Sequence, residues 1–200
     1  LQHTLVYRAP VSGEGHPKID SRESGAMCTL IVLHRCVAGR PLVVAANRDE
    51  FLNRPAEAPA LRSSRTGPIV APRDLEAGGT WVGVSQRSVF AGLTNLRAAT
   101  PANSGVAGDS SQGAPEALRS RGEVVMMALE SESTADAIRL LSKLEEGLYN
   151  PFQLLVADGQ EACLVVYRDR PMIVELEPGA HIVGNVEDDR IAAMLASEWG

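Results

Sequence analysis

Apolar residues fall into short runs along this chain, and their spacing changes character twice. Thr29–His34 and Leu42–Ala46 are β-branched and leucine-rich runs joined by Ala38-Gly39-Arg40-Pro41, which predicts a β-hairpin. Residues 53–79 hold four prolines and the Gly78-Gly79 pair, and read as irregular. Thr80–Val84 and Ser88–Thr94 predict a second hairpin across Ser85-Gln86-Arg87, and the small, polar, Gly/Pro-rich stretch Ala98–Ala117 reads as a mobile surface loop. The period then lengthens. Ser120–Glu130 carries a broad apolar stripe of Val124, Val125, Met127, Ala128 and Leu129. Thr134–Glu146 begins with Ser133 and Asp136 in a capping-box-like arrangement, with Ile138, Leu141 and Leu144 on one face. Strand-like runs return at Gln153–Ala157, Ala162–Tyr167, Met172–Leu176 and His181–Val183. A last helix is expected over Asp188–Trp199, where Ile191, Met194 and Leu195 mark an apolar face.

Strands, two helices, strands and a helix, in that order, disfavour a doubly wound parallel sheet. They favour an α+β fold of antiparallel sheets with segregated helices, and two sheets packed face to face would satisfy the many short apolar strands. No internal repeat is evident. Residues 1–26 are rich in Gly, Pro, Ser and charge, and read as a disordered extension ahead of one domain at 27–200. They lack the apolar core of a secretory signal. Upstream translated sequence, a fusion remnant and a removable propeptide would all look alike there, and the helix ending at Gly200 reads as a truncated end.

Composition narrows the function classes. A net charge of −6 gives no electrostatic reason to expect nucleic acid or an anionic membrane as partner. Scarce aromatics argue against base-stacking platforms, and no apolar run is long enough to span a bilayer. Three cysteines without repetitive spacing argue against a disulfide framework and fit a reducing compartment, the cytoplasm. By strand parity Cys28, His34 and Cys36 share one face, but about 20 Å of extended chain separates Cys28 from His34, so one ion cannot bridge them. Neither a metal site nor a phosphate-binding glycine loop is expected, and no cofactor is.

The candidate chemistry starts at Met27-Cys28. If Met27 were removed, Cys28 would carry a thiol and a free α-amine on one residue, and an amine of pKa near ~8 can serve as base for the adjacent thiol. The alternative is a cysteine that merely opens a buried strand. Asp49 ends the next strand, where it could meet Cys28 across the hairpin edge or simply terminate a turn. Arg48 could orient a carboxylate or phosphate, or form a salt bridge with Glu50, Asp74 or Glu76. Asn95 and Asn185 could each donate an amide N–H to an oxyanion, or be ordinary strand-end asparagines. Trp81 reads as core or pocket wall.

Met27-Cys28-Thr29-Leu30, Ala46-Asn47-Arg48-Asp49-Glu50, Ala77-Gly78-Gly79-Thr80-Trp81, Gly92-Leu93-Thr94-Asn95, Ser120-Arg121-Gly122 and Asn150-Pro151-Phe152 together resemble the NRDE family, also called the transport and Golgi organisation protein 2 family. The resemblance spans residues 27 to 200. More distantly, the pattern is similar to the cysteine N-terminal nucleophile hydrolases, the choloylglycine hydrolase and penicillin V acylase group. That likeness implies a four-layer αββα sandwich and cleavage of a non-peptide amide or acyl bond of a small molecule. It implies Cys28 as nucleophile, Asp49 as the partner of its α-amine, and Asn95 and Asn185 as oxyanion donors; Asn47, Arg48 and Trp81 are read beside them as substrate-binding candidates. The sequence departs from those hydrolases at Ala46, where they carry an arginine, and at Thr94, which displaces Asn95. A further arginine of theirs would lie beyond Gly200. The other reading is a non-catalytic carrier whose pocket holds a lipid, acyl-CoA or haem-like ligand, with His34 or Cys36 only speculative ligands. A small acylated molecule or lipid-like ligand is the expected partner in either case.

Overall fold

A computed structural model describes residues 4–7, 28–48, 50, 53–96 and 118–184. Eleven strands and two helices are described: β1 (Thr4–Tyr7), β2 (Thr29–Val37), β3 (Arg40–Asn47), β4 (Ala56–Ser64), β5 (Gly67–Asp74), β6 (Val82–Ser85), β7 (Phe90–Asn95), α1 (Gly122–Leu129), α2 (Thr134–Leu141), β8 (Phe152–Ala157), β9 (Ala162–Tyr167), β10 (Pro171–Glu175) and β11 (Gly179–Gly184). They form a four-stranded sheet in the order β1-β3-β2-β11 and a seven-stranded sheet in the order β10-β9-β8-β7-β6-β5-β4. Pairing is antiparallel except for β1 against β3.

Strands β8 and β9 explain the layering. Every residue in both is buried, because both faces of the large sheet are covered. Phe152, Leu154, Val156, Val165 and Tyr167 point into one core with Val124, Val125, Leu129 and Leu141 of the helices. The alternate residues Leu155, Ala157, Leu164 and Val166 point into a second core with Leu30, Val32, Leu42 and Val44 of the small sheet. The period-2 geometry of a strand divides one apolar run between two cores. The result is an α+β sandwich in which both helices lie side by side on the large sheet. Ser133 caps α2, its Oγ accepting from the Asp136 N–H at 3.1 Å. The helix expected at 188–199 and the loop expected at 98–117 lie outside the described residues.

Three expectations change. Residues 53–79 are not irregular: β4 and β5 form a long hairpin there. Pro59 is tolerated because β4 is an edge strand with a register shift between Glu57 and Ala60, and Pro59 falls in that bulge. Cys36 does not share a face with Cys28 and His34. The register also shifts between His34 and Val37, where Arg35 takes φ 51°, and Cys36 turns out to solvent. Within the stretch read as an extension, Thr4–Tyr7 is a strand, a β-prone run that adds to the edge of β3. The rest of residues 1–26 lies outside the described residues.

Candidate active site

Cys28 stands immediately before β2, and the register of the small sheet sets its neighbours. Thr29 is opposite Asn47 at the end of β3 and opposite Gly184 at the end of β11. Cys28 is 9% exposed. From the other sheet, Asn95 closes β7 opposite Phe152. The strand ends of the two sheets thus open on a common cavity of about 340 Å³, which Cys28, Asn47, Arg48, Trp81, Asn95 and Arg121 all line. Asp49 and Asn185 lie outside the described residues. Their chain neighbours Arg48 and Glu50 line the cavity, and Gly184 sits beside the Cys28 carbonyl.

One wall is held by charge. Arg48 Nη2 is 3.3 Å from both Glu50 Oε2 and Asp74 Oδ2, and its guanidinium stacks 3.9 Å from the Trp81 ring centroid. The salt-bridge reading of Arg48 is therefore realised with Glu50 and Asp74, while Glu76 pairs with Arg54 instead, at 3.3 Å. Trp81 is pocket wall. Asp74 organises the turn behind it: one carboxylate oxygen accepts the N–H groups of Glu76 (3.0 Å) and Ala77 (3.1 Å), and the other meets Arg54 Nη2 at 2.9 Å. Burial alone would raise the Asp74 carboxyl. Those N–H donors and the Arg54 guanidinium outweigh it and hold the group below the ordinary carboxylate range.

The opposite wall comes from the start of α1. Gly79 and Gly122 meet backbone to backbone, and a Cβ on Gly122 would lie 3.2 Å from the Thr80 carbonyl oxygen. Two of the sequence motifs are therefore one contact, and Gly78, at φ +75°, turns the chain into it. The docking fixes Arg121, whose Nη1 donates to the Pro151 carbonyl at 3.2 Å. Burial, and then the charge of Arg54, pull the Arg121 guanidinium below its usual value, while Cys28 and Glu50 act in the other direction. Arg121 and Cys28 thus line the same cavity.

Sequence motifs named Cys28, Asn47, Arg48, Trp81 and Asn95 as candidates, and all five line this cavity. They assigned no role to Arg121 or Arg54, and gave Asp74 only as a possible salt-bridge partner of Arg48. The signal for Arg121 was its place between Ser120 and Gly122 directly ahead of an apolar helical stripe.

The model of the Transport and Golgi organisation 2 family matches residues 27–195. The chain belongs to that family. Relatives include the mouse Transport and Golgi organization 2 homolog, 33% identical over 168 residues, and the human Transport and Golgi organization protein 2 homolog, 32% identical over 171 residues. Each match covers 79% of this chain and 52% of the relative, so the chain spans about half the length of the curated relatives it matches. Among solved structures, the Caenorhabditis elegans N-acylethanolamine-hydrolyzing acid amidase ortholog superposes with a TM-score of 0.56 at 11% identity, over 83% of this chain and 73% of that one. Penicillin V acylase from Agrobacterium tumefaciens gives 0.45 at 14% identity, over 88% of this chain and 50% of that one. The α+β sandwich of this chain is thus a fold it shares with that amidase ortholog. Among the described residues no helix is long and apolar enough to cross a membrane.

Proposed function

We propose that the cavity at Cys28 hydrolyses an amide-linked acyl group of a small molecule once Met27 has been removed. The observation that carries this reading is the meeting of Cys28 and Asn95, from different sheets, in one cavity that Arg121 also lines. In the proposed reaction the free α-amine of Cys28 takes the thiol proton and Sγ attacks the acyl carbon. The oxyanion is held by Asn95 and, by the likeness to cysteine acylases, by Asn185. Collapse breaks the C–N bond, the amine leaves with the proton taken from the thiol, and water then hydrolyses the thioester to release the acid and restore Cys28. Arg121 favours the thiolate by charge. Asp49 is proposed to hold the α-amine, while Asn47, Arg48 and Trp81 shape the substrate end.

The test is hydrolysis of an N-acylethanolamine, the substrate class for which the fold neighbour is named, by a chain beginning at Cys28 and one beginning at Leu1. Turnover is expected only from the first. Cys28→Ser should keep the fold and lose most of it, Asn95→Ala should lose about 10²–10³-fold, and Cys36→Ser should be near neutral. Tight binding of the acyl chain without turnover in both versions would turn the reading to a carrier.

A further inference from the structure

A second cavity, of about 470 Å³, shares no lining residue with the one at Cys28. It lies around the start of β9, where the end of β10 and the chain beyond it, α2 and the bulged end of β2 meet. The volume lies in the usual range for a small-molecule site.

His34 is the unusual element. Alternation along β2 puts Leu30, Val32 and His34 on the face between the sheets, and His34 is only 2% exposed. Both ring nitrogens are buried and have no hydrogen-bond partner among the described residues. An imidazole so placed forgoes one or two hydrogen bonds, and a buried unsatisfied polar group costs about 1–3 kcal/mol. A leucine would fill the same place without that loss. The next residue, Arg35, is a non-glycine at φ 51° and also lines the cavity. An unpartnered histidine and a strained arginine therefore converge on one pocket.

The charge of the lining points to the ligand. Glu161, Glu175 and Glu177 are exposed at the rim, and Arg139 is committed to Asp136 at 2.7 Å. Among the described lining residues that leaves Arg35 against three carboxylates. Cys163 reports the same negative field: burial, then Glu175, Glu161 and Asp158, push its thiol up to about 11. Ala135, Ile138, Ala162 and Leu176 supply apolar wall. We propose that this cavity is a second ligand site, which takes a small primary amine in its ammonium form with a compact apolar body. The ammonium faces the Glu175 and Glu161 carboxylates, and a turn of the His34 ring, whose nitrogens are buried in the empty site, brings one of them to accept from it, while the apolar body lies against Ile138 and Leu176. A neutral imidazole nitrogen accepts such a bond, and one to a charged donor is stronger than a neutral pair.

The experiment uses the full chain and 2-phenylethylamine as probe, with 2-phenylethanol and 3-phenylpropionate as matched neutral and anionic controls. Binding is read by calorimetry and by the His34 imidazole NMR signals. The amine is expected to bind and move those signals, and the controls to bind at least about tenfold more weakly. Glu175→Gln, at an exposed position, should keep the fold and weaken the amine by about tenfold. His34→Leu should abolish binding and raise the melting temperature. Equal binding of amine and alcohol, an unaltered affinity in Glu175→Gln, or His34 signals that no probe moves would each overturn the proposal, the last leaving a water-filled void.

Discussion

Replacing Asp74 by asparagine removes the charge on which the wall behind Trp81 is built. The side chain is 10% exposed, and it receives two backbone N–H groups and two guanidinium groups. Breaking one partner out of a fully buried ion pair costs about 3–5 kcal/mol. Arg54 is 32% exposed and keeps part of its hydration, so a cost of roughly 2–3 kcal/mol is expected here. At about 2–4 °C per kcal/mol for a domain of this size, the melting temperature should fall by roughly 5–10 °C. Acid removes the difference. The Asp74 carboxyl is held below its ordinary value in the fold, so its contribution is complete above the unfolded value of ~3.9 and is lost as pH falls through the lower, folded value. Thermal melts followed by circular dichroism at pH 7 and at descending pH check this. Asp74→Asn and the parent should differ fully at neutral pH and converge in strong acid. Equal melting temperatures at pH 7, or a gap that persists unchanged at pH 2, would refute the reasoning. A double-mutant cycle with Arg54→Met should return a favourable coupling, since the two groups are 2.9 Å apart.

Gly122→Ala should destabilise by about 1–3 kcal/mol in chemical denaturation, because its Cβ meets the backbone of Gly79 and Thr80 rather than a side chain that can move. Arg121→Met should slow alkylation of Cys28 in a chain beginning at that residue by several-fold, while the far-UV spectrum is unchanged, if its charge supports the thiolate. With a thiol reagent at neutral pH, exposed Cys36 should label first and Cys163 last, and Cys163 should respond only as pH climbs toward its raised value of about 11.

How far the fold could be read from the chain depended on burial. Strands β8 and β9 announced themselves as continuous apolar runs because both faces are covered, and the Ser133–Asp136 cap marked the start of α2 by local chemistry alone. Strand β4 was hidden for the opposite reason: most of its residues are exposed, so no alternation survives, and Pro59 reads as a breaker although a bulge at an edge accommodates it. Parity along β2 placed His34 correctly and failed two residues later, because a backbone bulge at Arg35 leaves no mark in the hydrophobic pattern. In the site, Cys28 and Asn95 stood in recognisable strand-end motifs. Arg121 acquires its position from the contact between Gly79 and Gly122, residues far apart in sequence, and Asp74 acquires its role from Arg54 and the turn it caps. Tertiary contacts of that kind have no local signature.

The most direct test of acyl transfer at Cys28 is intact mass spectrometry of the chain beginning at that residue, quenched in acid within the first turnover of an N-acylethanolamine. A covalent increment equal to the acyl group minus one hydrogen, located to the peptide that starts with Cys28, is the expected result. The chain beginning at Leu1 should show no such increment, nor should Cys28→Ala. An unmodified Cys28 under conditions where the amide is cleaved, or equal acylation of the Leu1 chain, would contradict an N-terminal cysteine nucleophile.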